Sequence, residues 1–185
     1  MPAKKQHVGL DSQSFSYLLD AISGISKPVD SLATEKIALV RAFFYKPGQF
    51  SFVLTETVVN EASKINNVER RNLHDSFRNT LFYSPAVKDA IAVKNRANEF
   101  YIHHRKLNDC LVLAEAEDLR LDIVLTYDNK FWQRLCNMSN VTKLMKPNEY
   151  WASLDIPIGG TPQFRPYDAN PEDANPLSFQ QWWRW

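Results

Sequence analysis

Two aspartates at or near the ends of strand-like segments are the first residues of this sequence whose placement suggests chemistry. Asp11 ends the short apolar segment 7–11, and Asp128 comes two residues after the apolar segment 123–126. In an open α/β sheet the functional crevice lies at the carboxyl ends of the strands, so the two side chains share one crevice if those strands are neighbours. The alternative interpretations are a turn or helix cap at Asp11 and an Asx turn at Asp128, both common positions for aspartate.

Two further acidic residues are predicted on the inward-facing edges of helices. On a helix beginning at residue 57, Glu61 borders the apolar face, whereas Glu56 projects to the polar side. On a helix beginning at residue 109, Asp109 aligns with the apolar positions, and Glu115 and Asp118 fall on the opposite side. Glu61 and Asp109 are therefore the helical acids expected to face inward. The alternative for Asp109 is an N-terminal acid favoured by the helix dipole.

A cluster of these four carboxylates requires a cation. No Lys or Arg adjoins any of the four in the sequence, so their mutual repulsion would raise their pKa values and destabilise the fold unless a cation lay between them. Ligation by oxygen alone favours Mg²⁺ or Mn²⁺ over zinc, and such ions bind phosphate esters through their open coordination positions. The predicted chemistry is metal-assisted hydrolysis of a phosphodiester bond.

Strand-like and helical segments alternate along most of the chain, which positions these residues. Strands are predicted at 7–11, 50–54, 123–126 and 141–145, and helices behind Ser12 and Ser14, at 32–44, 57–66, 68–106 with a break at Ser84-Pro85, and 109–120. Such alternation predicts an α/β fold, a three-layer sandwich with a central, mostly parallel sheet.

The alternation ends near residue 153, which gives the predicted domain organisation. Residues 1–153 are expected to form one domain, and residues 154–185 an irregular Pro- and Trp-rich C-terminal extension with little periodicity. Its tryptophans, Trp182, Trp183 and Trp185, are expected either to fold back over the domain or to form a segment for partner docking or self-association.

Composition excludes several classes of function. The five glycines are not spaced as a phosphate-binding loop or a dinucleotide-binding turn requires. The four histidines show no zinc-ligand spacing, and the two cysteines, Cys110 and Cys136, are typical of reduced, buried thiols. No signal-peptide core is present, and no segment approaches the roughly 18 apolar residues of a membrane span, so a cytoplasmic location without membrane contact is expected.

The net charge of +1 conceals a basic middle segment. Between Lys64 and Lys106, nine Lys or Arg residues stand against four Asp or Glu, whereas residues 154–185 carry four acidic and two basic residues. The basic segment is suited to an RNA backbone, with a solvated helix face as the alternative. Tyr127 and Trp132 are candidates to stack on an unpaired base, although core packing is the favoured role for Trp132.

The four acidic residues occur in segments that resemble those of one protein family. These segments are Leu10-Asp11-Ser12, residues 58–62 around Glu61, residues 107–116 around Asp109 and residues 124–131 around Asp128. In this order they resemble a PIN-domain ribonuclease, a family that includes many toxins of toxin–antitoxin pairs. The resemblance covers about residues 7–151. The long helical stretch before Asp109 and the C-terminal extension exceed the smallest family members.

The resemblance implies a specific site and specific partners. It implies that Asp11, Asp109 and Asp128 hold Mg²⁺ or Mn²⁺ and that Glu61 completes the site or orients the attacking water, supported by the hydroxyls of Ser12 and Thr126. It also implies an RNA substrate, an antitoxin partner and homodimerisation.

Two other functions are consistent with the sequence. The first is a non-catalytic PIN-like module that binds RNA or protein through the basic segment and the tryptophan-rich extension. The second is a haloacid-dehalogenase-like phosphatase, which is disfavoured because Gln13 occupies the position where that chemistry needs a second aspartate.

Overall fold

A four-stranded parallel sheet forms the centre of the molecule. A computed structural model describes residues 5–23, 38–42, 45 and 48–156. The strands are β1 (Gln6–Leu10), β2 (Phe50–Val53), β3 (Ile123–Leu125) and β4 (Lys143–Met145). They lie in the order β2-β1-β3-β4. In the parallel register Val8 lies opposite both Phe52 and Ile123, and Leu10 lies opposite Leu125.

Helices connect the strands and follow the last one. They are α1 (Ser12–Ser23), α2 (Glu56–Ser63), α3 (Val68–Leu81), α4 (Ala90–His103), α5 (Leu107–Asp118), α6 (Asn129–Leu135) and α7 (Pro147–Ala152). Of the predicted helix 32–44, residues 38–42 are helical, and residues 32–37 and 43–44 lie outside the described residues. The extension from residue 157 onward, with its three tryptophans, also lies outside them. Within the described ranges, no helix combines the length and apolarity needed to cross a membrane.

The central strands are covered on both faces. Val8, Gly9 and Leu10 of β1 are buried in succession, and so are all three residues of β3. The connection from β1 to β2 runs in one direction across the sheet, and the connections to β3 and β4 run in the other. Because such crossovers are right-handed, they place helices on opposite faces. The predicted α/β sandwich with a parallel sheet is confirmed.

Gly9 permits the close packing of the two central strands. A Cβ atom at this position would lie 3.0 Å from Leu121 Cδ1 and 3.1 Å from Val124 Cγ2, tighter than ordinary van der Waals contact. Beyond this point the Asp11 amide donates to the carbonyl of Leu125 at 3.1 Å, which extends the pairing of β1 and β3 past the last strand residue. The carboxyl ends of these two strands therefore lie side by side.

The predicted helical stretch 68–106 is divided where the sequence carries Ser84-Pro85. The Tyr83 amide donates to the Phe52 carbonyl at 3.2 Å, and the Leu54 amide donates to the Tyr83 carbonyl at 2.9 Å. The chain between α3 and α4 thus adds a short parallel bridge at the edge of β2. Asp89 then begins α4 by accepting hydrogen bonds from the amides of Ile91 and Ala92.

Candidate active site

Asp11 and Asp128 lie at adjacent strand ends and are connected through Thr126. The Asp11 Oδ1 atom accepts the Ser14 amide at 2.6 Å, which caps the start of α1, and its Oδ2 atom accepts the Thr126 hydroxyl at 2.5 Å. The Thr126 hydroxyl oxygen in turn accepts the Asp128 amide at 3.0 Å. Asp11, and neither Ser12 nor Ser14, receives the capping hydrogen bond of α1. Asp11 can therefore cap α1 with one oxygen while its other oxygen is directed to Thr126 at the end of β3.

Asp128 divides its two oxygens in the same way. Its Oδ1 atom accepts the amides of Lys130 at 2.7 Å and Phe131 at 3.1 Å, so that Asp128 is the N-cap of α6. Its Oδ2 atom accepts Lys106 Nζ at 2.6 Å. The helix therefore fixes the orientation of the carboxylate while one oxygen stays available to a cation.

Asp109 lies in the first turn of α5 and points toward the same cation. Its Oδ2 atom is 2.6 Å from His104 Nε2 and 3.6 Å from Lys106 Nζ. His104 is 2 % exposed, and its ring stacks on Phe131 with centroids 5.7 Å apart. Since a carboxylate only accepts hydrogen bonds, the Nε2 hydrogen of His104 points at Asp109. Lys106 thus lies between the carboxylates of Asp109 and Asp128.

Glu61 connects the chain segments that carry Asp11 and Asp109. Its Oε2 atom accepts a short hydrogen bond from the Ser12 hydroxyl, and its Oε1 atom accepts Asn108 Nδ2 at 2.5 Å. Ser12 adjoins Asp11 in the sequence, and Asn108 adjoins Asp109. The half-buried carboxylate of Glu61 is therefore held between the start of α1 and the start of α5.

The carboxylates of Asp11 and Asp128 differ in their electrostatic environment. Burial raises the pKa of Asp11 to about 6, against the opposing effect of hydrogen bonds from Thr126 and Ser14, and the charge of Asp109 adds to the rise. Burial also acts to raise the pKa of Asp128, but hydrogen bonds from Lys106 and from the α6 amides outweigh it, so this pKa is lowered. The hydrogen bond to Asp128 is the main reason that the pKa of Lys106 is raised. Among the described residues, Asp11 therefore has no cationic partner of the kind that Asp128 has.

The donor chemistry of the site suits a hard divalent cation. Within the described part of the chain, no three His, Cys, Asp or Glu side chains are grouped closely enough to form a ready metal site. Two carboxylates, those of Asp109 and Asp128, nevertheless converge on one cation, the Lys106 ammonium. Mg²⁺ is commonly held by one or two protein carboxylates, with water and substrate phosphate completing its shell. Asp109 and Asp128 thus fit such an ion, with Lys106 as its stand-in.

Lys106 is not among the predicted site residues, yet it contacts two of the predicted carboxylates. The expectation that no basic residue neutralises these carboxylates considered only direct neighbours in the sequence, whereas Lys106 precedes Asp109 by three positions and begins α5 as its N-cap. Residues three apart at the start of a helix lie on one side of it, so this spacing was the available signal. The role of His104 is not predicted either, because zinc-ligand spacing does not identify a histidine that hydrogen-bonds to a carboxylate.

Two expectations about side-chain exposure are wrong. Glu115, predicted on the side of its helix opposite the inward-facing Asp109, is 5 % exposed and accepts hydrogen bonds from the Thr57 amide at 3.1 Å and the Thr57 hydroxyl at 2.7 Å. The cause is that α5 packs against both α4 and α2, so it has more than one buried side. Tyr127 is 5 % exposed and packs on Tyr17, so it offers no free face to an unpaired base. Trp132 is half-buried and packs against the core, which is the role that the sequence favours for it.

Some basic side chains of the middle segment form ion pairs within the protein. Arg70 pairs with Asp20 at 2.6 Å, and Arg96 binds both Glu99 and Glu117. Three lysines of the segment are exposed at other positions: Lys64, Lys88 and Lys94. The segment therefore contains both a solvated, internally paired surface and side chains that are accessible to a polyanion.

Comparisons with known proteins return only distant structural likenesses. No protein-family model and no curated protein matches the chain. Among solved structures, it is similar to VapC20 of Mycobacterium tuberculosis, described as a sarcin-ricin loop cleaving toxin, with 15 % identity and a TM-score of 0.49 over 68 % of this chain and 93 % of that one. It is also similar to VapBC2 of Rickettsia felis, solved with a DNA fragment from its promoter, with 12 % identity and a TM-score of 0.45 over 76 % of this chain and 98 % of that one. The fold assignment rests on the strand order and register of the sheet.

Proposed function

We propose that this protein is a Mg²⁺- or Mn²⁺-dependent endoribonuclease of the PIN-domain type. The observation that carries the proposal is the convergence of Asp109 and Asp128 on one cation at the carboxyl edge of a parallel sheet. The placement of Asp11 and Glu61 around this position supports it, because hydrogen bonds connect each of them to the segments that hold the other carboxylates. These are also the four residues on which the resemblance to the PIN family rests.

Each side chain then has a defined task. Asp109 and Asp128 hold the divalent cation, and His104 keeps Asp109 oriented by donating to its Oδ2 atom. Asp11 faces the same crevice as a further oxygen donor, and Glu61, fixed by Ser12 and Asn108, orients the attacking water. When bound, the cation lowers the pKa of a coordinated water and stabilises negative charge on the reacting phosphate.

The substrate and partner follow from the charge distribution and the family resemblance. Exposed lysines of the segment between Lys64 and Lys106 are suited to phosphate groups along a single RNA strand. We further propose that the protein acts in the cytoplasm as the toxin of a toxin–antitoxin pair and that a cognate antitoxin inhibits it. A homodimer, which the resemblance also implies, would present two such sites.

The decisive experiment is a cleavage assay on matched nucleic acids. Labelled single-stranded RNA and DNA of one sequence are incubated with the protein in Mn²⁺, in Mg²⁺ and in excess chelator. We expect cleavage of the RNA with either metal and none with chelator. Asp109→Asn should retain the fold by circular dichroism and lose cleavage, whereas Asp75→Asn, a matched change on α3 away from the site, should retain it. Full activity in Asp109→Asn would remove Asp109 from the site.

The pairing of Lys106 with two site carboxylates favours a second candidate, a non-catalytic PIN-like module. In such a module the lysine would neutralise the carboxylates permanently, and RNA or protein would bind elsewhere on the surface. Calorimetry separates the two candidates. Mn²⁺ binding together with metal-dependent cleavage supports the nuclease, whereas RNA binding with neither Mn²⁺ binding nor cleavage supports the module.

A further inference from the structure

Lys106 is placed where a metal ion would have to bind. Its ammonium lies 2.6 Å from Asp128 Oδ2 and 3.6 Å from Asp109 Oδ2. A divalent cation held by these two oxygens would require the same space, and the two positive charges would repel each other. Occupation by the lysine and occupation by the metal are therefore mutually exclusive.

We propose that Lys106 is an exchangeable counter-ion of the site: its ammonium holds Asp109 and Asp128 together in the metal-free protein and leaves when a divalent cation binds. This inference rests on the proposed function, because it presupposes that these carboxylates hold a metal.

The geometry of Lys106 permits the exchange. Its side chain is 55 % exposed, so the ammonium can return to water by rotation of its flexible stem without disturbing the core. Both of its contacts with carboxylates lie at the surface, where an ion pair contributes little net stability. A divalent ion between two carboxylates has twice the charge of an ammonium and a correspondingly larger attraction to both.

The two carboxylates remain in place when Lys106 leaves. Asp109 keeps its hydrogen bond to buried His104, and Asp128 keeps the α6 amides of Lys130 and Phe131 on its other oxygen. The ligands are thus fixed by groups other than the lysine. Lys106 offsets the repulsion between them before the metal arrives, but it also weakens the apparent affinity for the metal, because the ion must displace it.

The proposal is tested by measuring Mn²⁺ affinity in a series of full-length variants. Lys106→Gln removes the charge, Lys106→Arg retains it, and Lys130→Gln is a matched control that removes an exposed lysine charge from the start of α6. Isothermal titration with MnCl₂ measures the dissociation constant, and the melting temperature is recorded with and without Mn²⁺. Cleavage of single-stranded RNA is measured in parallel as a test of the proposed function alone.

We expect Lys106→Gln to bind Mn²⁺ about three- to tenfold more tightly than the unmodified protein, as the loss of a competing ion pair predicts. Lys106→Arg should bind no more tightly than the unmodified protein, and Lys130→Gln should stay within about twofold. Without metal, Lys106→Gln should melt at a lower temperature, because Asp109 and Asp128 then repel each other, and Mn²⁺ should raise its melting temperature more than that of the unmodified protein.

The outcomes separate the two claims. Equal or weaker Mn²⁺ binding by Lys106→Gln, in a protein that still binds Mn²⁺ and cleaves RNA, overturns the exchange and leaves the nuclease standing. A gain in affinity as large in Lys130→Gln as in Lys106→Gln also overturns it, because the effect would then be general electrostatics. Absence of Mn²⁺ binding in every variant, together with absence of cleavage, overturns both claims.

Discussion

Replacing Asp11 by asparagine should stabilise the protein at neutral pH and abolish the proposed RNA cleavage. Burial raises the pKa of Asp11 from 3.8 to about 6, and the side chain is 7 % exposed. Because the folded protein binds this proton more tightly than the unfolded chain, the free energy of unfolding falls as the pH rises from about 4 to about 6. A pKa change of this size corresponds to about 3 kcal/mol, which the ionised carboxylate costs the folded state above pH 6.

Asparagine removes this cost because it has no charge to bury. Its side-chain oxygen still accepts the Ser14 amide, but the Thr126 hydroxyl loses its carboxylate acceptor, a loss of about 1 kcal/mol. The net gain at pH 7.5 is therefore about 2 kcal/mol. For a chain of this length, each kcal/mol shifts the melting temperature by about 2–4 °C, so Asp11→Asn should melt about 4–8 °C higher.

Urea unfolding of the metal-free proteins at pH 4 and pH 7.5 provides the assay. Asp11→Asn should have an unfolding free energy about 2 kcal/mol higher than the unmodified protein at pH 7.5. At pH 4 this gain should disappear or become a loss, because only the effect of the lost hydrogen bond remains. A variant that is less stable at pH 7.5, or a difference that is the same at both pH values, would refute the argument from burial. Cleavage activity should be lost in either case, since the charge that favours the cation is gone.

The remaining predictions concern other groups of the site and its support. Mn²⁺ binding by the unmodified protein should weaken below about pH 6, where protons compete for Asp11, and calorimetry at pH 5.5 and pH 7.5 measures this. Asp128→Ala should lose cleavage and about 1 kcal/mol of stability through the missing N-cap of α6, whereas Asp128→Asn should lose cleavage but keep most of the cap, as urea unfolding would show. Glu115→Ala should destabilise the fold by about 2–4 kcal/mol in the same assay, because the buried Thr57 amide and hydroxyl lose their acceptor. Cys110 should resist alkylation in the folded protein, since it is buried and burial raises its pKa to about 11, and mass spectrometry after iodoacetamide treatment tests this.

The architecture was accessible from the sequence because the periodic patterns are strong. Strands 50–54 and 123–126 are apolar runs bounded by polar residues, and the structure places strands at Phe50–Val53 and Ile123–Leu125. Parallel pairing follows from the helices between the strands, since parallel neighbours need a crossover. Boundaries were less accurate: the predicted strand 141–145 begins two residues later, at Lys143, because Val141 and Thr142 form the turn that is held by the Ser139 hydroxyl oxygen.

The sequence predicted which acids to examine but not how each is neutralised. Helical projection placed Glu61 beside the apolar face of its helix, and this carboxylate is half-buried in the structure. The same projection is wrong for Glu115, because it assumes one buried face, whereas α5 packs against both α4 and α2. Some partners of the carboxylates, such as Asn108 for Glu61 and Lys106 for Asp128, come from another element of the fold. A pattern along one helix carries no information about such contacts.

The construction of the site explains why helix capping and the proposed metal ligation are hard to distinguish in the sequence. Asp11 and Asp128 each cap a helix with Oδ1, and their Oδ2 atoms accept the Thr126 hydroxyl and the Lys106 ammonium. The cap orients the other oxygen, because amides that bind one oxygen fix the plane of the carboxylate before a cation binds. An aspartate that directly follows a strand and begins a helix is therefore well suited to both tasks. The two interpretations of such a residue are complementary, and the direction of its second oxygen decides whether it also serves a site.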